Sequence, residues 1–67
     1  MIQITVNGAP TETQPGLTIS QLLEIVDLPA PYLAVELNGE VVPREQHEHC
    51  QVADGDQVEV VTLVGGG

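Results

Sequence analysis

Ile2, Ile4 and Val6 alternate with Gln3 and Thr5, a period of two that predicts a strand with one apolar face. Asn7-Gly8 follows, and both residue types tolerate positive φ, so the chain is expected to reverse there in a two-residue hairpin turn. Ala9 to Gln14 then returns antiparallel. Pro10 has no N–H to donate, which confines that return to a sheet edge. Pro15-Gly16 closes the arm with a second turn. The period changes at Thr18, which stands as an N-cap with Gln21 three residues on, a capping box, while Leu17 and Leu22 are placed as a hydrophobic staple. Ile19, Leu22, Leu23 and Val26 fall on one helical face, and Pro29 and Pro31 end the helix near Asp27. Leu33 to Leu37 reads as a third strand with Leu33, Val35 and Leu37 on one side. Asn38-Gly39 is a second hairpin turn, and Glu40 to Val42 a short return strand closed by Pro43. No period is legible from Arg44 to Ala53. Asp54-Gly55-Asp56 is a tight turn, and Gln57 to Val64 is the last strand, running straight into Gly65-Gly66-Gly67.

Two hairpins flanking one helix, with a long final strand, predict a two-layer α+β domain with a mixed sheet. The last strand is expected beside the first, in parallel, with the intervening chain as the crossover. Residues 1–64 form the one domain that 67 residues allow, and residues 65–67 a flexible glycine tail. The core must be aliphatic, because Trp and Phe are absent and Tyr32 is the one aromatic residue. Cys50 is the one cysteine, so no intrachain disulfide can form, and the expected compartment is the reducing cytoplasm. No stretch has the length and apolarity of a membrane span or signal peptide.

The glycine tail carries the chemistry most worth testing. Glycine has no Cβ, so such a backbone can thread a narrow channel and bring a terminal carboxylate close to a partner's reactive groups. Extended, the four residues from Val64 reach about 13–14 Å. A frayed end is the plainer reading of the same residues. Charge narrows the partners. Ten acidic residues face one base, Arg44, for a net charge of −9. Nucleic acid is excluded as a partner, since phosphate binding needs clustered Lys and Arg. The acidic surface serves solubility, steering toward basic proteins, or both.

With Val58, Val60 and Thr62 facing the helix, Val61 and Leu63 face outward, joined by Ala34 from the third strand. That apolar patch beside the tail is a candidate docking surface. Cys50 is a rival sulfur site, but Glu45 and Glu48 lie near it and only His49 would favour a thiolate, so a small buried or half-buried role fits better. His47 and His49 would share a strand face; with Cys50 they lack a second cluster at zinc spacing, and surface loop histidines are the plainer reading. Arg44 either pairs with Glu45, Glu48 or Asp54 or contacts a partner. Convergent polar groups are too few for an enzyme pocket.

The chain resembles the ubiquitin-like β-grasp domains, and more narrowly the ThiS family of sulfur carriers in thiamine biosynthesis. The similarity covers essentially the whole chain. It is carried by the Ile2–Val6 strand with Asn7-Gly8, by Leu17-Thr18-Ile19 leading to Leu22-Leu23, and by Val35-Glu36-Leu37-Asn38-Gly39. It continues with Val42-Pro43-Arg44, Asp54-Gly55-Asp56-Gln57-Val58-Glu59 and Val64-Gly65-Gly66-Gly67. The resemblance implies a carrier that binds no cofactor and is not itself an enzyme. An E1-like adenylating enzyme would use ATP and Mg to activate the Gly67 carboxylate. A sulfur donor system would convert it to a thiocarboxylate, and thiazole synthase would take the sulfur. Gly67 is then the reacting residue, and Gly66, Gly65, Val64, Leu63 and Val61 are the partner-binding segment. A molybdopterin-type or other thiometabolite carrier, a ubiquitin-like covalent modifier and a plain binding module remain as alternatives.

Overall fold

The computed structural model describes residues 1–26 and 33–62, with the side chains of Leu33 and Thr62 left aside. Strand β1 (Ile2–Val6) turns through Asn7-Gly8 into β2 (Ala9–Thr13), and β3 (Leu33–Leu37) turns through Asn38-Gly39 into β4 (Glu40–Val42). Both turns have positive φ at both central residues: 50° and 83° in the first, 52° and 86° in the second. That is the conformation that matches strand twist in a two-residue hairpin, and it explains the Asn-Gly pairs. Strand β5 (Gln57–Thr62) then inserts between the hairpins, giving one mixed sheet in the order β2-β1-β5-β3-β4. It runs parallel to β1, as expected from the sequence, and antiparallel to β3. Pro10 lies on an edge strand, where its missing N–H costs no ladder bond.

Helix α1 (Ile19–Ile25) begins at the predicted cap. The Thr18 side chain accepts from the Gln21 N–H, and the Gln21 side chain accepts from the Thr18 N–H, so both halves of the capping box are present. The helix is shorter than expected: it ends at Ile25 with Val26 as C-cap, and Pro29 and Pro31 lie outside the described residues. Ile19, Leu22 and Leu23 bury their shared face against Ile4, Val6, Val35, Val58 and Val60 of the sheet. Leu17 and Val26 pack at the margin of the same cluster.

The stretch without a legible period proves to be the helix's second cap. Pro43 leads into a 3₁₀ turn over Arg44–Gln46, after which the chain runs under the start of α1. The carbonyl of Cys50 accepts from the Ile19 N–H at 2.8 Å, and that of His47 accepts from the Ser20 N–H at 2.9 Å. With Thr18 holding the Gln21 N–H, the first three helical N–H groups all have partners, although such groups have none within the helix itself. Val52 drops into the core from this segment, 3% exposed, and its N–H donates to the Leu17 carbonyl.

The Asp54-Gly55-Asp56 turn ties the start of β5 to both hairpins. Asp54 Oδ1 accepts from the Gln3 N–H, and Gly55 N–H donates to the Gln3 carbonyl, each at 2.8 Å. Asp56 uses both carboxylate oxygens, one on the Ala53 N–H and one on Asn38 Nδ2.

A 67-residue domain is stable by only about 3–10 kcal/mol, and truncating a core leucine costs about 2–5. Leu22 is fully buried between helix and sheet. Leu22→Ala is therefore expected to remove a large share of the stability and shift the urea midpoint sharply downward; a midpoint equal to wild type would contradict this packing.

Candidate functional site: the sheet face beside the arm

Alternation along β5 sorts its side chains. Val58 and Val60 are buried, whereas Glu59 is exposed and Val61 is 54% exposed. Register extends that outer row across neighbouring strands. Ala34 stands opposite Val61, Glu36 opposite Glu59, and Val41 opposite Glu36. Ala34 is half-buried and Val41 is 69% exposed. The expected outward patch of Val61 and Ala34 is thus in place, and Val41 enlarges it. Leu63, Val64, Gly65, Gly66 and Gly67 lie outside the described residues.

The same face holds an electrostatic cost. Glu36 and Glu59 are direct cross-strand neighbours of like charge, an arrangement that opposes pairing. Sequence reasoning counted these two glutamates within the general acidity and missed their juxtaposition. Strand alternation placed each on an outward position, but their facing depends on the register between β3 and β5, which no local turn sets. Asn7, read from the sequence only as a turn residue, was missed too. Its side chain bonds both the N–H and the carbonyl of Val60, and an open depression beside it is lined by Asn7, Gly8, Glu59, Val60 and Val61.

The rival groups lie away from this face, in the loop that caps α1. His47 and His49 share no strand, contrary to expectation, because the chain there is a 3₁₀ turn followed by a further turn. Nor are both at the surface. His47 is 8% exposed with Nε2 at 3.1 Å from the Val42 carbonyl, whereas His49 is exposed. Burying a polar ring requires such a partner, and the hydrogen bond supplies it. Cys50 is half-buried against the core cluster, the small packed role expected of it. Arg44 is exposed at the first position of the 3₁₀ turn. Among the described residues, no three His, Cys, Asp or Glu side chains are grouped to hold a metal ion, and no helix is long and apolar enough to cross a membrane.

A mixed sheet closed by a central last strand and packed on one capped helix is the ubiquitin-like β-grasp architecture. Comparison with known proteins narrows that class. The model of the ThiS family matches residues 4–67. The sulfur carrier protein ThiS of Escherichia coli K12 is 35% identical over 66 residues, covering 98% of this chain and 100% of that protein. A thiazole synthase of Paramagnetospirillum magneticum is 32% identical over 66 residues, 98% of this chain but only 20% of that protein. The crystal structure of the thiamine biosynthesis protein ThiS from Geobacter metallireducens superposes with a TM-score of 0.87 at 40% identity, covering 98% of this chain and all of that one. The chain belongs to the ThiS family, the sulfur carriers of thiamine biosynthesis.

Relieving the like-charge pair has a measurable sign. Glu36→Gln is expected to raise stability by about 0.2–1 kcal/mol, with the gain shrinking as salt is added. A melt that shows no gain at low ionic strength would mean that the two carboxylates do not oppose each other.

Proposed function

We propose that this chain acts through the carboxylate of Gly67, with the folded domain serving as the handle by which partner enzymes hold it. A carboxylate is a poor acyl donor because oxide is a poor leaving group. An E1-like adenylating enzyme using ATP and Mg overcomes this. The carboxylate oxygen attacks the α-phosphorus, pyrophosphate departs, and a mixed anhydride with AMP remains. Hydrosulfide from a donor system then attacks the carbonyl carbon and AMP leaves, giving the thiocarboxylate. This is the general logic of covalent activation, one difficult step split into two easier ones. Gly67 places no side chain beside the reacting carbon, and Gly65 and Gly66 give the arm freedom to enter two different active sites. On this reading the carrier binds no cofactor, works in the cytoplasm and is a co-substrate, with no enzymatic activity of its own.

The observation that supports this best is the outer sheet face. Val61, at the last described turn of the alternation before the arm, is exposed together with Ala34 and Val41 around Glu36 and Glu59. An apolar patch with a self-repelling acidic pair suits a partner surface that presents apolar side chains around an Arg or Lys. The same charge steers encounter in a net −9 chain. Thiazole synthase is the proposed sulfur acceptor. The stretch of the Paramagnetospirillum thiazole synthase that resembles this chain supports that pairing.

Intact-mass measurement after incubation with the activating enzyme, ATP, Mg and sulfide is expected to show one oxygen replaced by sulfur, localised to Gly67 by fragmentation. A chain left unchanged by a competent activating system would end this proposal. Separately, Val61→Asp is expected to weaken binding to the activating enzyme about tenfold or more, a change of about 1.4 kcal/mol. Unchanged affinity would remove Val61 from the interface.

A further inference from the structure

Strand β1 stops before β5 does, and Asn7 occupies the gap. At the end of the pairing, Thr5 N–H donates to the Asp56 carbonyl and Asn7 N–H to the Val58 carbonyl, both at 2.9 Å. A parallel ladder continued by one step would next take up the N–H and carbonyl of Val60. The main chain has already turned away, with φ of 50° at Asn7 and 83° at Gly8, and Ala9 belongs to β2. The Asn7 carboxamide takes the missing place. Its Oδ1 accepts from the Val60 N–H at 2.7 Å, and its Nδ2 donates to the Val60 carbonyl at 3.1 Å. A primary amide offers the same acceptor and donor as a peptide group, so one side chain supplies the rung that the main chain cannot. Past this clip, the register of β5 continues on the β3 side, with Ala34 opposite Val61 and Leu33 opposite Thr62.

We propose that Asn7 is the positioning residue of the arm. By holding Val60 on the β1 side, it fixes the point and heading from which the chain leaves the sheet toward Gly67. This rests on the reading of Gly67 as the reacting residue. The leverage is geometric. Gly67 is the seventh residue beyond Val60, a reach of about 23 Å when extended. Once a partner's channel holds the arm extended, a displaced root is a displaced carboxylate, and misplacement by about 1 Å can cost about 100-fold in rate. The clip lies at the open depression lined by Asn7, Gly8, Glu59, Val60 and Val61, on the route from docking face to arm.

The second Asn-Gly turn supplies a built-in control. Asn38 has φ of 52°, and its Oδ1 accepts from the Gln57 N–H at 2.9 Å, so it clips the opposite end of β5, away from the arm. Asn7→Ala and Asn38→Ala are compared with wild type in amide hydrogen exchange and in steady-state adenylation by the activating enzyme. In Asn7→Ala, the Val60 amide is expected to lose protection while Val58 keeps it. The kcat for adenylation should fall about tenfold with KM changed less than about threefold, because the docking face is intact and only delivery of the carboxylate is impaired. Asn38→Ala should lose stability without losing kcat. The proposal is overturned if Asn7→Ala keeps its kcat, or if Asn38→Ala loses as much. If Asn7→Ala does not fold, Asn7→Asp, which keeps the acceptor and loses the donor, is read in the same way. Should wild type itself not be adenylated, the assignment of Gly67 fails. Asn7 is then judged by exchange alone, and an unchanged Val60 amide overturns its role as clip.

Discussion

Strand β5 has to be the centre of the sheet and the root of the arm at once. The two hairpins touch each other in the sheet only through it, since the order is β2-β1-β5-β3-β4. A lone hairpin is marginal in water, and neither half here would persist without the strand between them. Val58 and Val60 bring the inner face of both hairpins against α1. The arm is therefore rooted in the strand that holds the sheet together. A carrier built this way cannot present its tail from a partly unfolded state.

Short polar side chains finish what the backbone ladders leave incomplete around β5. Asp54 and Asp56 fasten its beginning to Gln3, Ala53 and Asn38, while Asn38 and Asn7 serve its two flanks. The negative charge is thus of two kinds. Asp54 and Asp56 accept hydrogen bonds within the fold, and their carboxylates are part of its framework. Glu36 and Glu59 instead stand opposite each other on the outer face, where a partner's cation would meet both. A uniform picture of solvated acidity would hide that division.

Where a local rule dictates local geometry, the chain was legible. The Ile2–Val6 alternation, both Asn-Gly turns and the Thr18–Gln21 capping box each determine a structure within a few residues, and each appears as expected. The parallel placement of β5 followed from layer packing and the helical crossover. The segment from Arg44 to Ala53 was opaque because its order comes from elsewhere. Its carbonyls exist to meet N–H groups of a helix some thirty residues earlier, and Val52 is buried by contact with that helix and the sheet. His47 misled for the same reason: a polar residue in a segment without periodicity gives no sign that a carbonyl from Val42 awaits it. The sorting of the outer face was legible in part. Val61 and Ala34 followed from strand alternation, whereas the facing of Glu36 and Glu59 required a register that depends on how distant strands align.

Order of manufacture adds a consequence. The strand that sits in the middle of the sheet is the last of the five to leave the ribosome. The two hairpins cannot join into one sheet until it emerges, because their pairing within the sheet runs through it. A truncated product that lacks this strand has no sheet to close and exposes the apolar faces that proteolysis recognises. The sheet is therefore complete only in a chain that already carries the root of its arm.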